Sequence, residues 1–418
     1  MGFRFVHAAD LHLDSPFRGL TPHRGLQPLF QGTTLKALSR IVNLCLREKV
    51  DFLVLAGDLY DTEDRSVRAR LALRDEVARL DQAGIRTFIV HGNHDPLTAD
   101  AGTLAFPPSV KVFGASWEEV AVPAPGGGVL CRVQGISYPR EAVTEDLSRH
   151  FSRQGPEFTV GLLHANVGGA ADHANYAPCT AEGLAARQLD YWALGHVHTR
   201  TELKLGNGAL AVYPGNPQGR HVGEAGERGC VLVEVNGRRA TTQFFPVDVV
   251  RWHRSTVDLT DLATLDALVT AAEDAVAQAC GAGYEAHAVR LTLEGRGPLH
   301  ADLARPGALA QLEEALAARF GARRPPVLLE SVKDASLPAL DLDRIAAGGG
   351  LAAAVLAAGR NAPGAAELDR LCLEAELTAL ESALMRADLP GLRERAADLA
   401  RAAAVRAVEL LVGDGEAP

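Results

Sequence analysis

Apolar runs of strand length alternate with longer stretches of helical periodicity at the start of the chain. Buried-strand patterns occur at Phe3–Ala9, Asp51–Ala56 and Arg86–Val90, and helical patterns at Thr33–Lys49 and Arg65–Ala83 separate them. The order strand–helix–strand–helix–strand is typical of a layered α/β domain. We therefore predict that the chain opens with such a domain.

Shorter strand patterns follow from residue 110, and turn sequences such as Asn236-Gly237 separate them. They lie at Val110–Phe113, Val129–Ser137, Phe158–Leu163, Tyr191–Leu194, Leu210–Tyr213, Cys230–Val235 and Thr241–Pro246. Together with the opening elements, they predict a front domain over residues 1–250, with two sheets and outer helices.

The alternation restarts after residue 250 and predicts two further regions. A small β-α-β-α-β unit is expected over residues 251–335, and a helical region over residues 336–418. The patterns behind this prediction are strands at Trp252–Leu259, Ala288–Leu293 and Val327–Ser331, and helices at Leu262–Cys280, Ala308–Phe320, Glu367–Ala387 and Gly391–Val412.

The composition indicates a globular protein and argues against membrane-spanning and disulfide-rich classes. The chain has 418 residues, of which 47% are hydrophobic and 22% charged, which is typical of a globular protein. No apolar run reaches the length of a membrane span and no signal-peptide pattern opens the chain, so we expect a cytoplasmic protein without membrane contact. The six cysteines include no C-x-x-C pair, so we expect small core residues instead of a disulfide or zinc framework.

The charge distribution places the chemistry in the front domain. The net charge of −10 excludes a broadly basic protein that coats nucleic acid. Residues 1–250 carry 25 Lys and Arg against 27 Asp and Glu, and they hold 11 of the 14 histidines. The excess of acidic residues therefore lies mainly in residues 251–418, C-terminal to the histidine-rich part of the chain.

Five short polar segments follow predicted strands in the front domain, where layered α/β folds present functional groups. They are Asp10-Leu-His12, Gly57-Asp58, Gly92-Asn-His-Asp95, His164 and Gly195-His-Val-His198. The pairs Asp10/His12 and His196/His198 are spaced i, i+2, so each pair is expected to project from one face of a strand. His7 has the opposite strand parity and is expected to be a packed core histidine.

The residue types in these segments suit two metal ions. Two divalent ions clamp a phosphodiester and activate a water molecule, which a single proton donor cannot do. Asp58 is the natural bridging carboxylate, and an imidazole-rich set favours manganese, iron or zinc over magnesium. We expect His94 to protonate the leaving oxygen and Asp95 to hold the imidazole of His94 in its tautomer.

The five segments, in this order, resemble the motifs of the calcineurin-like metallophosphoesterases. The resemblance implies a four-layer α-β-β-α sandwich with a small α/β capping domain and a C-terminal helical region. It also implies a catalytic His94 and two metal ions. The implied ligands are Asp10, His12, Asp58 and His198 for one ion, and Asp58, Asn93, His164 and His196 for the other.

A narrower resemblance is to the SbcD-type DNA repair exonucleases, and in particular to their bacterial YhaO-like branch. Its residues are Asp10–Asp14, Leu55–Asp61, His91–Asp95 and Tyr213–Arg220. The resemblance implies a Mn²⁺-dependent DNA exonuclease, with Asp61 and Arg220 contacting the substrate. It leaves open a homodimer and a partner of the SbcC-like coiled-coil ATPase type.

Two other functions stay open at this point. A phosphatase or a small-molecule phosphodiesterase, for example one acting on cyclic nucleotides, would use the same metal chemistry, although a small substrate needs no capping domain. A mainly architectural subunit that binds DNA ends or an ATPase would depend on the acidic helical tail instead.

Overall fold

The computed structural model describes residues 2–17, 30–61, 66–98, 105–169, 176–361 and 392–412. The predicted helix Glu367–Ala387 lies outside these ranges. The chain divides into two compact units, each built from three segments. The first comprises residues 1–257, 269–292 and 309–333, and the second comprises residues 258–268, 293–308 and 334–418.

The strands and helices alternate much as the hydrophobic pattern predicts. The strands are β1 Gly2–Ala8, β2 Phe52–Ala56, β3 Arg86–Val90, β4 Val110–Val112, β5 Glu118–Pro123, β6 Val129–Ile136, β7 Phe158–His164, β8 Tyr191–Gly195, β9 Thr201–Lys204, β10 Leu210–Tyr213, β11 Gly229–Asn236, β12 Arg239–Pro246, β13 Val250–Asp258, β14 Ala286–Glu294, β15 Arg296–Gly297, β16 Val327–Asp334 and β17 Leu337–Pro338. The helices are α1 Thr33–Glu48, α2 Val67–Gln82, α3 Ala181–Ala186, α4 Leu265–Ala279, α5 His300–Leu303, α6 Ala308–Gly321, α7 Leu342–Gly348, α8 Gly350–Arg360 and α9 Leu392–Val412.

Two six-stranded sheets form the body of the first unit. One has the order β12-β11-β1-β2-β3-β4 and the other the order β5-β6-β7-β8-β10-β9. In the first sheet β1 to β4 are parallel, and in the second β6, β7, β8 and β10 are parallel. Each sheet therefore gathers the carboxyl ends of several neighbouring strands at one edge.

Alternating side chains of β1 and β2 divide the interior into layers. Val6 and Leu53 point toward α1 and α2, whereas Phe5 and Phe52 join a core that also contains Val160 of the second sheet. The outer face of the second sheet, including Trp192, packs against Leu184 of α3. The order helix–sheet–sheet–helix confirms the predicted mixed α/β fold of the metallophosphoesterase type.

The remaining elements follow the second predicted alternation. Strands β13, β14 and β16 form a three-stranded sheet in that order. In the second unit α8 lies against α9, where a Cβ on Gly359 would come within 2.3 Å of the Cβ of Ala404. Helices of the predicted C-terminal region are therefore present at Leu342–Gly348, Gly350–Arg360 and Leu392–Val412.

No single helix among the described residues is long and apolar enough to cross a membrane. The pair α7 and α8 meets that criterion only when the two are taken together, and they are bent by 116°.

Replacement of Phe52 by Ala should destabilise the protein by about 3–5 kcal/mol, because it removes a buried ring from between the two sheets. The ring stacks on Phe5 with a centroid distance of 4.8 Å. Val67→Ala is the control, because Val67 is 69% exposed and its loss should cost less than about 0.5 kcal/mol. Urea unfolding measures both changes, and equal stabilities would contradict the two-sheet core.

Candidate metal centre

The predicted site residues follow the carboxyl ends of parallel strands from both sheets. Strands β1, β2 and β3 lead into three of the segments, and β7 and β8 lead into the others. The residues concerned are Asp10 and His12 after β1, Asp58 and Asp61 after β2, Asn93, His94 and Asp95 after β3, His164 at the end of β7, and His196 and His198 after β8. The two sheet edges meet here, because Nδ1 of His164 lies 2.9 Å from the carbonyl oxygen of Ala56.

The backbone of these segments is not extended, which corrects one expectation. Asp10, His12, Asp58 and His196 have φ angles of 53°, 41°, 52° and 102°. The i, i+2 pairs therefore lie on loops and do not project from one face of a strand. Left-handed backbone costs roughly 1–3 kcal/mol at a non-glycine residue and is concentrated at functional sites.

Hydrogen bonds between the loops hold this backbone in place. The N–H groups of Asp10 and His12 donate to the carbonyl oxygens of Gly57 and Asp58, both at 3.0 Å. The first loop is thus tied directly to the loop after β2. Gly92 permits the third loop to come close, because a Cβ there would lie 2.3 Å from Oδ1 of Asp58.

Three imidazoles are anchored through the same ring nitrogen. Nδ1 of His12 lies 2.7 Å from Oδ1 of Asp61, and Nδ1 of His198 lies 2.7 Å from Oε1 of Glu224. Nδ1 of His164 faces the carbonyl oxygen of Ala56. Since these oxygens accept hydrogen bonds, each Nδ1 carries a proton and each ring points its Nε2 into the site.

These Nε2 atoms converge on one another and on a carboxylate. Nε2 of His12 and of His198 are 3.2 Å apart. Oδ2 of Asp58 lies 3.4 Å from Nε2 of His164 and 3.9 Å from Nε2 of His12. Lone pairs that face one another at such distances repel unless a proton or a metal cation lies between them. The arrangement therefore calls for positive charge on both sides of Asp58.

The ligand atoms form two groups that share Asp10. Its carboxylate lies within 4.8 Å of the ligand atoms of His12 and His198, and also of those of Asp58 and His164. Ligand atoms bound to one ion at 2.0–2.2 Å are typically about 3–3.5 Å apart, so small shifts bring either group onto an ion. The mixture of carboxylate oxygen and imidazole nitrogen fits two borderline divalent cations.

Asn93 and His196 lie beside the second group. Oδ1 of Asn93 lies 3.1 Å from Nε2 of His164. The ring of His196 lies 5.3 Å from that of His164, and its backbone N–H donates to Asp10 at 3.0 Å. The structure therefore brings all seven residues predicted as metal ligands into one cluster.

The electrostatics of the centre reflect its excess of negative charge. Burial alone would lower the pKa of His164, but the charges of Asp58 and Asp10, together with hydrogen bonds to Asp58 and Ala56, outweigh it and raise that pKa to about 9. Burial, together with the charge of Arg220, lowers the pKa of His12 to about 4. His12 is thus neutral near pH 7, and the proton that His164 attracts marks a position where a cation is favoured.

The carboxylate beside His94 is Asp61, which corrects the role predicted for Asp95. Nδ1 of His94 lies 3.0 Å from Oδ1 of Asp61, and this contact raises the pKa of His94 although burial opposes it. Asp95 instead accepts hydrogen bonds from the backbone N–H groups of Gly92 at 2.7 Å and Leu59 at 3.0 Å. Asp95 therefore joins the loops after β2 and β3 and shapes the backbone that carries His94.

Asp61 is a buried positioning residue, whereas the sequence predicted a substrate contact. One oxygen faces both His12 and His94, and the other accepts from Ser15 at 2.5 Å and from Arg220 at 3.2 Å. Burial alone would raise the pKa of Asp61, but the hydrogen bonds from His12 and His94 outweigh it and lower the pKa below its usual value. Both oxygens of Asp61 are occupied within the protein.

Arg220 is also buried, and two acidic residues contact it. Its guanidinium pairs with Asp61, and its backbone N–H donates to Oε2 of Glu224 at 2.7 Å. Nε of Arg220 is buried and has no hydrogen-bond partner among the described residues. Contact of Arg220 with a phosphate stays a prediction.

Glu224 is a functional residue that the sequence analysis missed. It lies in the short 3-10 helix Val222–Glu224, where no motif marks it, and it holds Nδ1 of His198.

His7 agrees with its prediction, because it is fully buried and its ring contacts Tyr191 and Leu194. Burial lowers the pKa of His7 to about 3.

Comparison with known proteins gives two family matches and several relatives. A model described as calcineurin-like phosphoesterase matches residues 3–200, and one described as the middle domain of the metallophosphoesterase YhaO matches residues 252–336. The Bacillus subtilis protein named "Uncharacterized metallophosphoesterase YhaO" is 35% identical over 316 residues, which cover 75% of this chain and 76% of that protein.

Two further relatives are nucleases or repair proteins by name. The SbcD component of the nuclease SbcCD from Bacillus subtilis is 28% identical over 277 residues, covering 57% of this chain and 68% of the relative. The DNA double-strand break repair protein Mre11 of Sulfurisphaera tokodaii is 25% identical over 232 residues, covering 54% and 59%. These matches confirm the family resemblance that the five motifs indicate.

Replacement of Glu224 by Gln should weaken metal binding by roughly 10–100-fold, because the acceptor that fixes the tautomer of His198 loses its charge. Isothermal titration of the metal-free protein with Mn²⁺ measures this change. Glu227→Gln is the matched control, since the exposed Glu227 pairs with Arg251 instead. Equal affinities for the two variants would show that Glu224 does not support the centre.

Proposed function

Because the chain belongs to the calcineurin-like metallophosphoesterase family, we propose that it is a dinuclear-metal DNA exonuclease acting in DNA repair. The observation that carries the metal dependence is the pair of Nε2 atoms of His12 and His198, which face each other at 3.2 Å. The relatives named as a nuclease and as a double-strand break repair protein support DNA as the substrate.

Asp58 would bridge the two metal ions, which we propose to be Mn²⁺. Asp10, His12 and His198 would complete one coordination sphere, and Asn93, His164 and His196 the other. When bound, two divalent ions screen the charge of a phosphodiester and lower the pKa of a water molecule. The protein orients the three imidazoles through hydrogen bonds to Asp61, Ala56 and Glu224.

His94 would donate the proton that the leaving sugar oxygen needs. Its side chain is 44% exposed, so a substrate can reach it, whereas the neighbouring Asp58 and Asp61 are buried. Asp61 holds Nδ1 and leaves Nε2 as the nitrogen that faces the substrate. The raised pKa of His94 favours the protonated ring that a general acid requires.

A polymeric substrate agrees with the chain beyond the metal centre. Residues 252–336 match the middle domain of YhaO, and helices α7, α8 and α9 follow it. A small phosphodiester would need no such additions. The SbcD relative is by name one part of a nuclease, so we further propose an SbcC-like coiled-coil ATPase as a partner. We also propose that the protein acts in the cytoplasm, where its DNA substrate would be found.

His94→Ala should lower the turnover of a phosphodiester by about 10²–10⁴-fold, because it removes the proton donor while leaving the proposed metal ligands in place. The measurements are the steady-state rate on a bis-aryl phosphodiester and the metal content of the same sample. His150→Ala is the control, since His150 is an exposed histidine of the 3-10 helix Leu147–His150. Loss of bound metal in His94→Ala would show that its role is ligation instead.

DNA cleavage is tested on end-labelled linear DNA, single- and double-stranded, with Mn²⁺ and with a chelator. We expect shortening from one end that requires Mn²⁺ and that His94→Ala lacks. Intact DNA together with rapid hydrolysis of a cyclic nucleotide would replace the exonuclease proposal by a small-molecule phosphodiesterase.

A further inference from the structure

A second group of metal-ligating side chains lies in the first unit, outside the centre described above. His253 on β13, Cys280 directly after α4 and His287 on β14 each offer one ligand atom, and these atoms all lie within 4.8 Å of one another. Three separate elements thus bring together two imidazoles and a thiol. This is not the buried core cysteine that the sequence predicted, because Cys280 is partly exposed.

Strand alternation explains why the two histidines meet. Trp252 of β13, with Ala286 and Ala288 of β14, belongs to one hydrophobic cluster. The adjoining residues in sequence, His253 and His287, point to the opposite face of the sheet. There Nε2 of His253 lies 2.9 Å from Nδ1 of His287.

The hydrogen bonds of His287 fix its tautomer. Its Nε2 lies 3.0 Å from the carbonyl oxygen of Gly281, which can only accept, so Nε2 carries the proton. The lone pair of Nδ1 therefore faces Nε2 of His253. An anchored N–H opposite a bare ring nitrogen is the arrangement that metal-binding histidines show in proteins.

We propose that His253, Cys280 and His287 bind one Zn²⁺ ion through two nitrogens and one sulfur. Thiolate and imidazole together select a borderline, soft cation and disfavour Mg²⁺ and Mn²⁺. Three protein ligands leave the fourth tetrahedral position to water. His287 is fully buried, whereas His253 and Cys280 are partly exposed, so an ion can enter from solvent.

Zinc binding requires one proton to leave the site and one to sit on the nitrogen of His253 that faces away from the ion. The thiol of Cys280 loses its proton to solvent as the sulfur–zinc bond forms, and His253 carries its single ring proton on Nδ1 so that Nε2 can bind. Burial lowers the pKa of His253 to about 4, so this ring is already neutral. Burial raises the pKa of Cys280 to about 11, so the thiolate forms only with the ion.

Cobalt provides a probe that reports this site alone. The residues assigned to the dinuclear centre offer nitrogen and oxygen ligands only, so a thiolate-to-cobalt charge-transfer band can arise only at a cysteine. We would titrate the chelator-treated full chain with Co²⁺ and then with Zn²⁺. The expected result is a thiolate band whose final intensity corresponds to one cobalt–thiolate site per chain and that Zn²⁺ removes.

Single-residue variants show which side chains produce the cobalt–thiolate band. Cys280→Ser and His253→Gln should lose it, and Cys45→Ala, which changes a buried core cysteine, should keep it. Thermal unfolding of each metal-free variant verifies that it is folded. Absence of the band in the wild type, or its persistence in Cys280→Ser, would overturn the proposal.

Thiol protection gives a second readout that needs no spectroscopic probe. Zn²⁺ should slow the alkylation of Cys280 by roughly tenfold or more, because a bound thiolate is not available as a nucleophile, and peptide mass spectrometry identifies the modified residue. An unchanged rate would contradict the site. Cys280→Ser should retain Mn²⁺-dependent phosphodiester hydrolysis, which separates this proposal from the proposed function.

Discussion

The Nδ1–H groups of His12, His164 and His198 each donate to an acceptor elsewhere in the first unit, and these three hydrogen bonds determine the geometry of the centre. Their acceptors are Asp61, Ala56 and Glu224. With the Nδ1 protons fixed, the three Nε2 atoms point into the site, where those of His164 and His12 lie 3.4 Å and 3.9 Å from Oδ2 of Asp58. The site is therefore arranged for cations before any ion binds. Removing one acceptor should disturb the orientation of the histidine that it anchors, although the acceptor itself does not bind metal.

The stability of the fold offsets the free-energy cost of bringing these residues together. Left-handed backbone at Asp10, His12, Asp58 and His196, and buried carboxylates close to one another, are each unfavourable. The two sheets with their shared aromatic core offset these costs, and hydrogen bonds between loops hold the strained residues. Asp95 contributes by accepting from the backbone of two loops, which keeps the ends of β2 and β3 together at the site.

Much of this arrangement could be predicted from the sequence, because it depends on local patterns. Hydrophobic alternation placed β3 and β10 at their observed bounds, and the motifs after strands contain Asp10, Asp58 and His164, whose ligand atoms lie within 4.8 Å of one another. The partners of those residues could not be predicted in the same way. Asp95 directly follows His94 in sequence, yet the fold places the carboxylate of Asp61 beside the ring of His94.

Glu224 and the group at His253, Cys280 and His287 illustrate the same limit. Glu224 lies 26 residues beyond His198, with no recognisable spacing, and meets it through a loop. The second group combines single residues from three elements, so no short motif exists to find. Loop conformation also differs from prediction, since the i, i+2 spacing of Asp10 and His12 suggested a strand and the backbone turns instead.

The central claim is that the converging Nε2 atoms and Asp58 define two adjacent cation sites. Anomalous diffraction from crystals soaked in Mn²⁺ tests it most directly. We expect two peaks about 3.5–4 Å apart with Asp58 between them, one beside His12 and His198 and the other beside His164. A single peak, or manganese that lies away from Asp58, would contradict it.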